Sequence, residues 1–94
     1  MPPQQRERAL AFIYEKAGKV DQAEASLRRA IAMHSNTPDE YLFLGQFLAR
    51  QQRPVDAIRA FEQAVSVAQD SPTDLEFARR RIEELRRLSD SGKN

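Results

Sequence analysis

From Gln4 to Ala17 helix-favouring residues dominate, and Leu10, Ile13, Tyr14 and Ala17 recur at the spacing that sets them on one helical face. Pro2 and Pro3, which donate no backbone hydrogen bond, precede this run as a turn-like start. Gly18 predicts the end of the helix, because glycine takes the positive φ of a helix terminus at little cost. A second helix is expected from about Asp21, read as an N-cap with Glu24 at capping-box spacing. Its apolar face is Ala23, Leu27, Ala30 and Ile31, and it frays near His34. The run from Ser35 to Pro38 is a boundary, where Thr37 can cap the next helix and Pro38 occupies its first position. That third helix extends to about Gln51 and carries Tyr41, Leu44, Gly45 and Leu48 on its apolar side. Arg53 and Pro54 turn the chain into a fourth helix bearing Val55, Ala57, Ile58, Phe61, Ala64, Val65 and Ala68. Ser71-Pro72 repeats the Thr37-Pro38 boundary and opens a fifth helix to roughly Leu88, ahead of a polar tail expected to be disordered.

The pattern repeats. A shift of 34 residues lays Pro38 on Pro72, Leu10 on Leu44, Ala11 on Gly45 and Tyr14 on Leu48. The same shift lays Ala23 on Ala57, Leu27 on Phe61 and Ala30 on Ala64. Small residues at Ala11 and Gly45 let paired helices approach closely, and the larger Leu27 and Phe61 fill the space beyond. The stretch from Pro38 to Ser71 matches W-x₂-L-G-x₂-Y…A-x₃-F…P, with Tyr41 for the Trp and Leu48 for the Tyr, so the chain resembles the tetratricopeptide-repeat family.

The resemblance implies an all-α fold: two helix–turn–helix repeats at 4–37 and 38–71, then a C-terminal capping helix at 72–89 and a tail at 90–94. Such elements form a short right-handed α-solenoid. Departures from the family pattern are informative. Glu7 stands where the first copy would carry its Trp, Gln52 replaces the turn glycine of the second, and Ser35 and Gln69 replace the helix-terminating proline. Arg79 takes the Gly45 position in the third copy, so no second helix is expected to pack there, as suits a solvating cap. Two repeats are fewer than such arrays generally need, which leaves room for self-association or a longer parent chain.

Composition narrows the function. The chain has 94 residues, a net charge of +1 and no cysteine, so a disulfide framework, a thiolate zinc site and a thiol nucleophile are excluded. The near-zero charge removes the simplest electrostatic case for nucleic acid or an anionic membrane. No apolar run reaches membrane-span length and the start lacks a signal-peptide core, so a cytoplasmic location is expected for a whole protein, while for a piece of a longer chain the address lies elsewhere. An Ala- and Arg-rich, Lys-poor composition points toward a GC-rich bacterium.

In the family, the first helix of each repeat lines the inside of a curved surface that binds extended peptides or helices. At about 100° per residue, the corresponding positions are Arg8, Ala9, Phe12, Glu15 and Lys16, then Leu42, Phe43, Gln46, Ala49 and Arg50. Glu76, Phe77, Arg80, Glu83 and Glu84 extend this set on the last helix. Phe12, Leu42, Phe43 and Phe77 form its apolar part, with Lys16, Gln46, Arg50 and Arg80 as polar rim. The plainer alternative is that Phe43 and Phe77, or even Phe12, pack between helices as core. One subset of the family grips chaperone C-termini with Asn, Lys and Arg. The matching positions here, Gln5, Ala9, Phe43, Thr73 and Phe77, supply neither Asn nor a cation, which favours an apolar or mixed ligand.

Other chemistry finds little support in the residues. Arg79, Arg80, Arg81, Arg86 and Arg87 interleave with Glu76, Glu83 and Glu84 at salt-bridge spacing, so they read as a solvated face rather than a nucleic-acid surface. His34 has no partner at metal-ligand spacing and suits a helix end. Glu83 and Glu84 diverge around their helix, and neither Ser26 nor Ser66 has a base at hand. With no phosphate loop either, the expectation is a non-catalytic protein–protein interaction module without cofactor or metal. Its partner is a protein or peptide, with neither nucleic acid nor membrane involved. Self-association remains an alternative, through Ile13 and Leu27 at an open first repeat, as does a regulatory role within a larger protein.

Overall fold

The computed structural model describes residues 2–34 and 36–91. Those residues form five α-helices: α1 (Pro3–Lys16), α2 (Val20–Met33), α3 (Pro38–Arg50), α4 (Pro54–Val67) and α5 (Pro72–Ser91). The fold is all-α, as the periodicity requires. The chain divides into two compact units, one ending at Asn36 and the other beginning at Thr37.

In the first unit α1 and α2 pair through small side chains. Ala11 is the buried residue of α1, facing the buried Ala23, Ser26, Leu27 and Ala30 of α2. Arg29 reinforces the pair, donating from Nε to the Glu7 carboxylate at 3.2 Å and from Nη2 to Ser26 Oγ at 2.9 Å. Glu7 thus fills the family's Trp position with an interhelical ion pair instead of an aromatic.

The turn that joins them has a definite hydrogen-bond pattern. Lys19 N–H reaches back to the Tyr14 carbonyl at 2.8 Å and Gly18 N–H to the Glu15 carbonyl at 3.1 Å, with Gly18 at φ 78°. This is a Schellman C-cap. The turn feeds α2 so directly that Lys19 becomes its N-cap and Asp21 falls inside the first turn, so the expected Asp21 cap does not form. Glu24 pairs with Arg28 at 2.9 Å rather than completing a capping box.

The second unit repeats the device. Arg53 N–H bonds the Leu48 carbonyl at 3.0 Å and Gln52 N–H the Ala49 carbonyl at 3.1 Å, with Gln52 itself at φ 61°. Gln52 is the described non-glycine residue with positive φ. The α3–α4 pair closes over Gly45, where an added Cβ would stand 2.8 Å from Phe61 Cζ. The Phe61 ring therefore lies on the bare backbone of α3. The same ring meets the Phe77 ring in a T-shaped contact, centroids 6.2 Å apart, where α5 packs along α4. Ala64, Ala68, Ala78, Ile82 and Leu85 are buried in this unit.

Two expectations need correction. The apolar face expected on α1 is not covered: Leu10 and Ala17 are exposed, Tyr14 is half-buried, and Ile13, expected at an open first repeat, is 58% exposed. The reason is local, since α2 is the one neighbour of α1 within its unit and covers the Ala11 side. The residue of α3 in register with Ile13 is Phe47, which is 1% exposed and was absent from the expected apolar face. The last helix also continues past Leu88 to Ser91, so Asp90 and Ser91 are helical rather than part of a disordered tail. Gly92–Asn94 and Ser35 lie outside the described residues.

Candidate partner-binding faces

On α1, Phe12 projects away from α2 and is 61% exposed. Lys16, one turn later, holds its Nζ 5.3 Å from the Phe12 ring centroid. A cation at that distance over an aromatic face is attracted by the ring quadrupole. The two side chains thus form a small amphipathic patch. Of the other positions expected on this side, Ala9 is exposed, while Arg8 and Glu15 are half-buried.

On α3, Phe43 is 46% exposed, Leu42 and Gln46 are half-buried, and Arg50 is exposed near the helix C-terminus. There its charge also complements the helix dipole. The core alternative for Phe43 is therefore met only in part. On α5, Phe77 is half-buried and its ring makes the T-shaped contact with Phe61, so it contributes to the packing of α5 as much as to any surface. Arg80 is exposed and paired with Glu76 at 3.2 Å.

Arg81 is the residue that the sequence reading missed. Assigned to a solvated face, it instead reaches from α5 to α3, where its Nε donates to Gln46 Oε1 at 3.1 Å. Its Nη1 donates to Glu84 at 2.9 Å, and its guanidinium carbon lies 5.9 Å from the Phe61 ring centroid. Arg81, Glu84, Arg87 and Leu88 line an open concavity of ≈ 350 Å³. The signal was available. At 100° per residue, Phe77, Arg81, Glu84 and Leu88 trace one stripe, whereas the expected Glu76 and Glu83 lie well round toward another side.

Of the other arginines, Arg80 and Arg87 pair within α5 at the predicted spacing, whereas Arg86 reaches across to α4. Arg87 pairs with Glu83 at 3.1 Å and Arg86 with Glu62 at 3.3 Å, all of them solvent-exposed side chains. A second concavity of ≈ 400 Å³ lies between α4 and α5, lined by Glu62, Val65, Arg79, Ile82, Glu83 and Arg86. Among the described residues no group of three or more His, Cys, Asp or Glu could hold a metal ion. None of the described helices is long and apolar enough to cross a membrane.

Paired helices of fixed length, a close glycine crossing and a repeated Schellman turn define a helical-repeat protein. The family model described as tetratricopeptide repeat matches residues 8–74, and the chain belongs to that family. No curated protein matched the sequence. Proteins built of these repeats generally mediate protein–protein interaction.

Proposed function

We propose that this chain is a non-catalytic interaction module that holds a peptide or helix of a partner protein on the exposed sides of its first helices. Phe12, Leu42, Phe43 and Phe77 supply apolar contact, and Lys16, Gln46, Arg50 and Arg80 the polar rim. One observation carries the reading: Phe12 and Phe43 remain exposed on first helices whose small residues, Ala11 and Gly45, are spent on pairing. Large aromatics bordered by Arg, Lys and Gln have the composition of an interaction surface, and the aromatics supply most of its binding energy. The test is binding of peptides selected against the intact chain, measured for the wild type and for Phe12→Glu and Phe43→Glu. Either substitution should weaken binding at least about tenfold while the helical circular dichroism is kept. Unchanged affinity in both would overturn the reading.

A second reading, self-association, is favoured by the exposure of Ile13 on α1, although Leu27, expected beside it, is buried in the α1–α2 pair and offers no surface. Its signature is a mass that rises with concentration and falls back in Ile13→Glu. At the other end, Arg79 supports the reading of α5 as a cap. Where Gly45 lets Phe61 approach within 2.8 Å of a Cβ position, Arg79 interposes a long cation at the same register.

A further inference from the structure

The proposed binding role leaves open what chemistry the partner brings. Resting on that reading, we propose that Arg81 is the anchoring cation of the α3–α5 face and that the partner presents an Asp or Glu side chain to it.

Arg81 differs from the other arginines of α5 in how it is held. Arg80, Arg86 and Arg87 have side chains 65%, 61% and 70% exposed and pair with exposed carboxylates, so water screens them. The Arg81 side chain is 26% exposed, with Nε fixed by the uncharged Gln46 amide and the guanidinium seated beside the buried Phe61 ring. A guanidinium fixed in this way loses little freedom on meeting a ligand, and partial burial strengthens its charge–charge interactions. Its Nη2 group has no partner among the described residues. That leaves donor capacity for a charge-assisted hydrogen bond at the edge of the ≈ 350 Å³ concavity.

The lining of that concavity matches an acidic residue followed by an apolar one. Arg87 is already paired with Glu83 at 3.1 Å, so the donor open to a ligand here is the Nη2 group of Arg81, and Leu88 contributes an exposed apolar surface. Glu84 stands 2.9 Å from Nη1 with its side chain 44% exposed. It can therefore turn toward solvent and release its place, which makes it an internal stand-in for the ligand carboxylate. Arg81 lies one helical turn beyond Phe77 and outside the chaperone-clamp positions, so this anchor is compatible with the lack of a clamp. The ligand remains mixed in character, with apolar contacts to Phe43 and Leu42 and one charge to Arg81.

The experiment is selection of a phage-displayed random dodecapeptide library on the intact chain. The affinities of enriched peptides are then measured by fluorescence anisotropy for the wild type, Arg81→Gln, Glu84→Gln and Phe43→Glu. The wild type should enrich peptides with Asp or Glu at a fixed spacing from a large apolar residue. Arg81→Gln should weaken such a peptide by about tenfold or more, and Glu84→Gln should bind it at least as tightly as the wild type. Changing the peptide's acidic residue to its amide should cost the wild type a similar factor and Arg81→Gln almost nothing. Enriched peptides that need Phe43 but neither an acid nor Arg81 would overturn this inference and leave the binding face standing. Failure to enrich any peptide, or equal binding by Phe43→Glu, would overturn both. Should Arg81→Gln fail to fold, the Glu84→Gln variant and the amidated peptide decide the question on the wild-type core.

Discussion

Gln52 pays for a glycine's conformation without being one: at φ 61° it closes the same Schellman turn that Gly18 closes at φ 78°. A side chain in the left-handed region costs about 1–2 kcal/mol, offset in part by the greater unfolded-state freedom of glycine. Gln52→Gly should therefore stabilise the protein by about 0.5–1 kcal/mol, seen as a rise of several degrees in thermal midpoint. Gly18→Ala should lose about 1 kcal/mol for the backbone alone, since no atom lies within 4 Å of its Cβ position. Gly45→Ala fails differently. Its Cβ would stand 2.8 Å from Phe61 Cζ, and that ring is hemmed in by Phe77 and Arg81. Overpacking of about 1–3 kcal/mol is expected, measurable by denaturant titration. The sequence register marked both positions, Gly45 because the approach of Phe61 leaves no room for a side chain and Gln52 because its φ restricts the residue type. Asp21 was misread because capping chemistry is common to many residues, and the preceding turn decided which one became the N-cap.

Among elements, α1 and α3 carry the same pattern and meet different surroundings. Ile13 and Phe47 share a register, yet one is exposed and the other buried. Phe47→Ala should cost about 3–5 kcal/mol, whereas Ile13→Ala should stay within about 0.5 kcal/mol in the same denaturant series. Equal losses would mean that Ile13 is buried in solution by a second molecule. Helical periodicity alone cannot separate the two cases, since it records which residues share a face and not what covers the face. α5 shows the same limit. Its alternating Arg and Glu suggested uniform solvation, and most of those ion pairs are indeed exposed, but packing against α3 and α4 turns Arg81 toward Gln46 and Phe61.

For the whole molecule, the repeat of 34 residues, the five-helix order and membership of the tetratricopeptide-repeat family were all legible before any coordinates. They follow from local rules: helix spacing, proline at the first helical position, and small residues where paired helices touch. Solution mass is the measurement that belongs to this scale. Sedimentation across a wide concentration range should return the monomer mass for wild type and Ile13→Glu alike if the exposed aromatics serve a foreign partner. A concentration-dependent mass abolished by Ile13→Glu would instead make self-assembly the function. By itself the sequence determined which segments are helical, which pair and where they turn, because those outcomes depend on neighbours a few residues away. Only the tertiary structure decided that Leu10 and Ile13 stay exposed, that Phe77 braces Phe61 and that Arg81 leaves the solvated face. Each of those outcomes depends on which helices stand next to a given side chain, and that is set by packing between segments far apart in the chain.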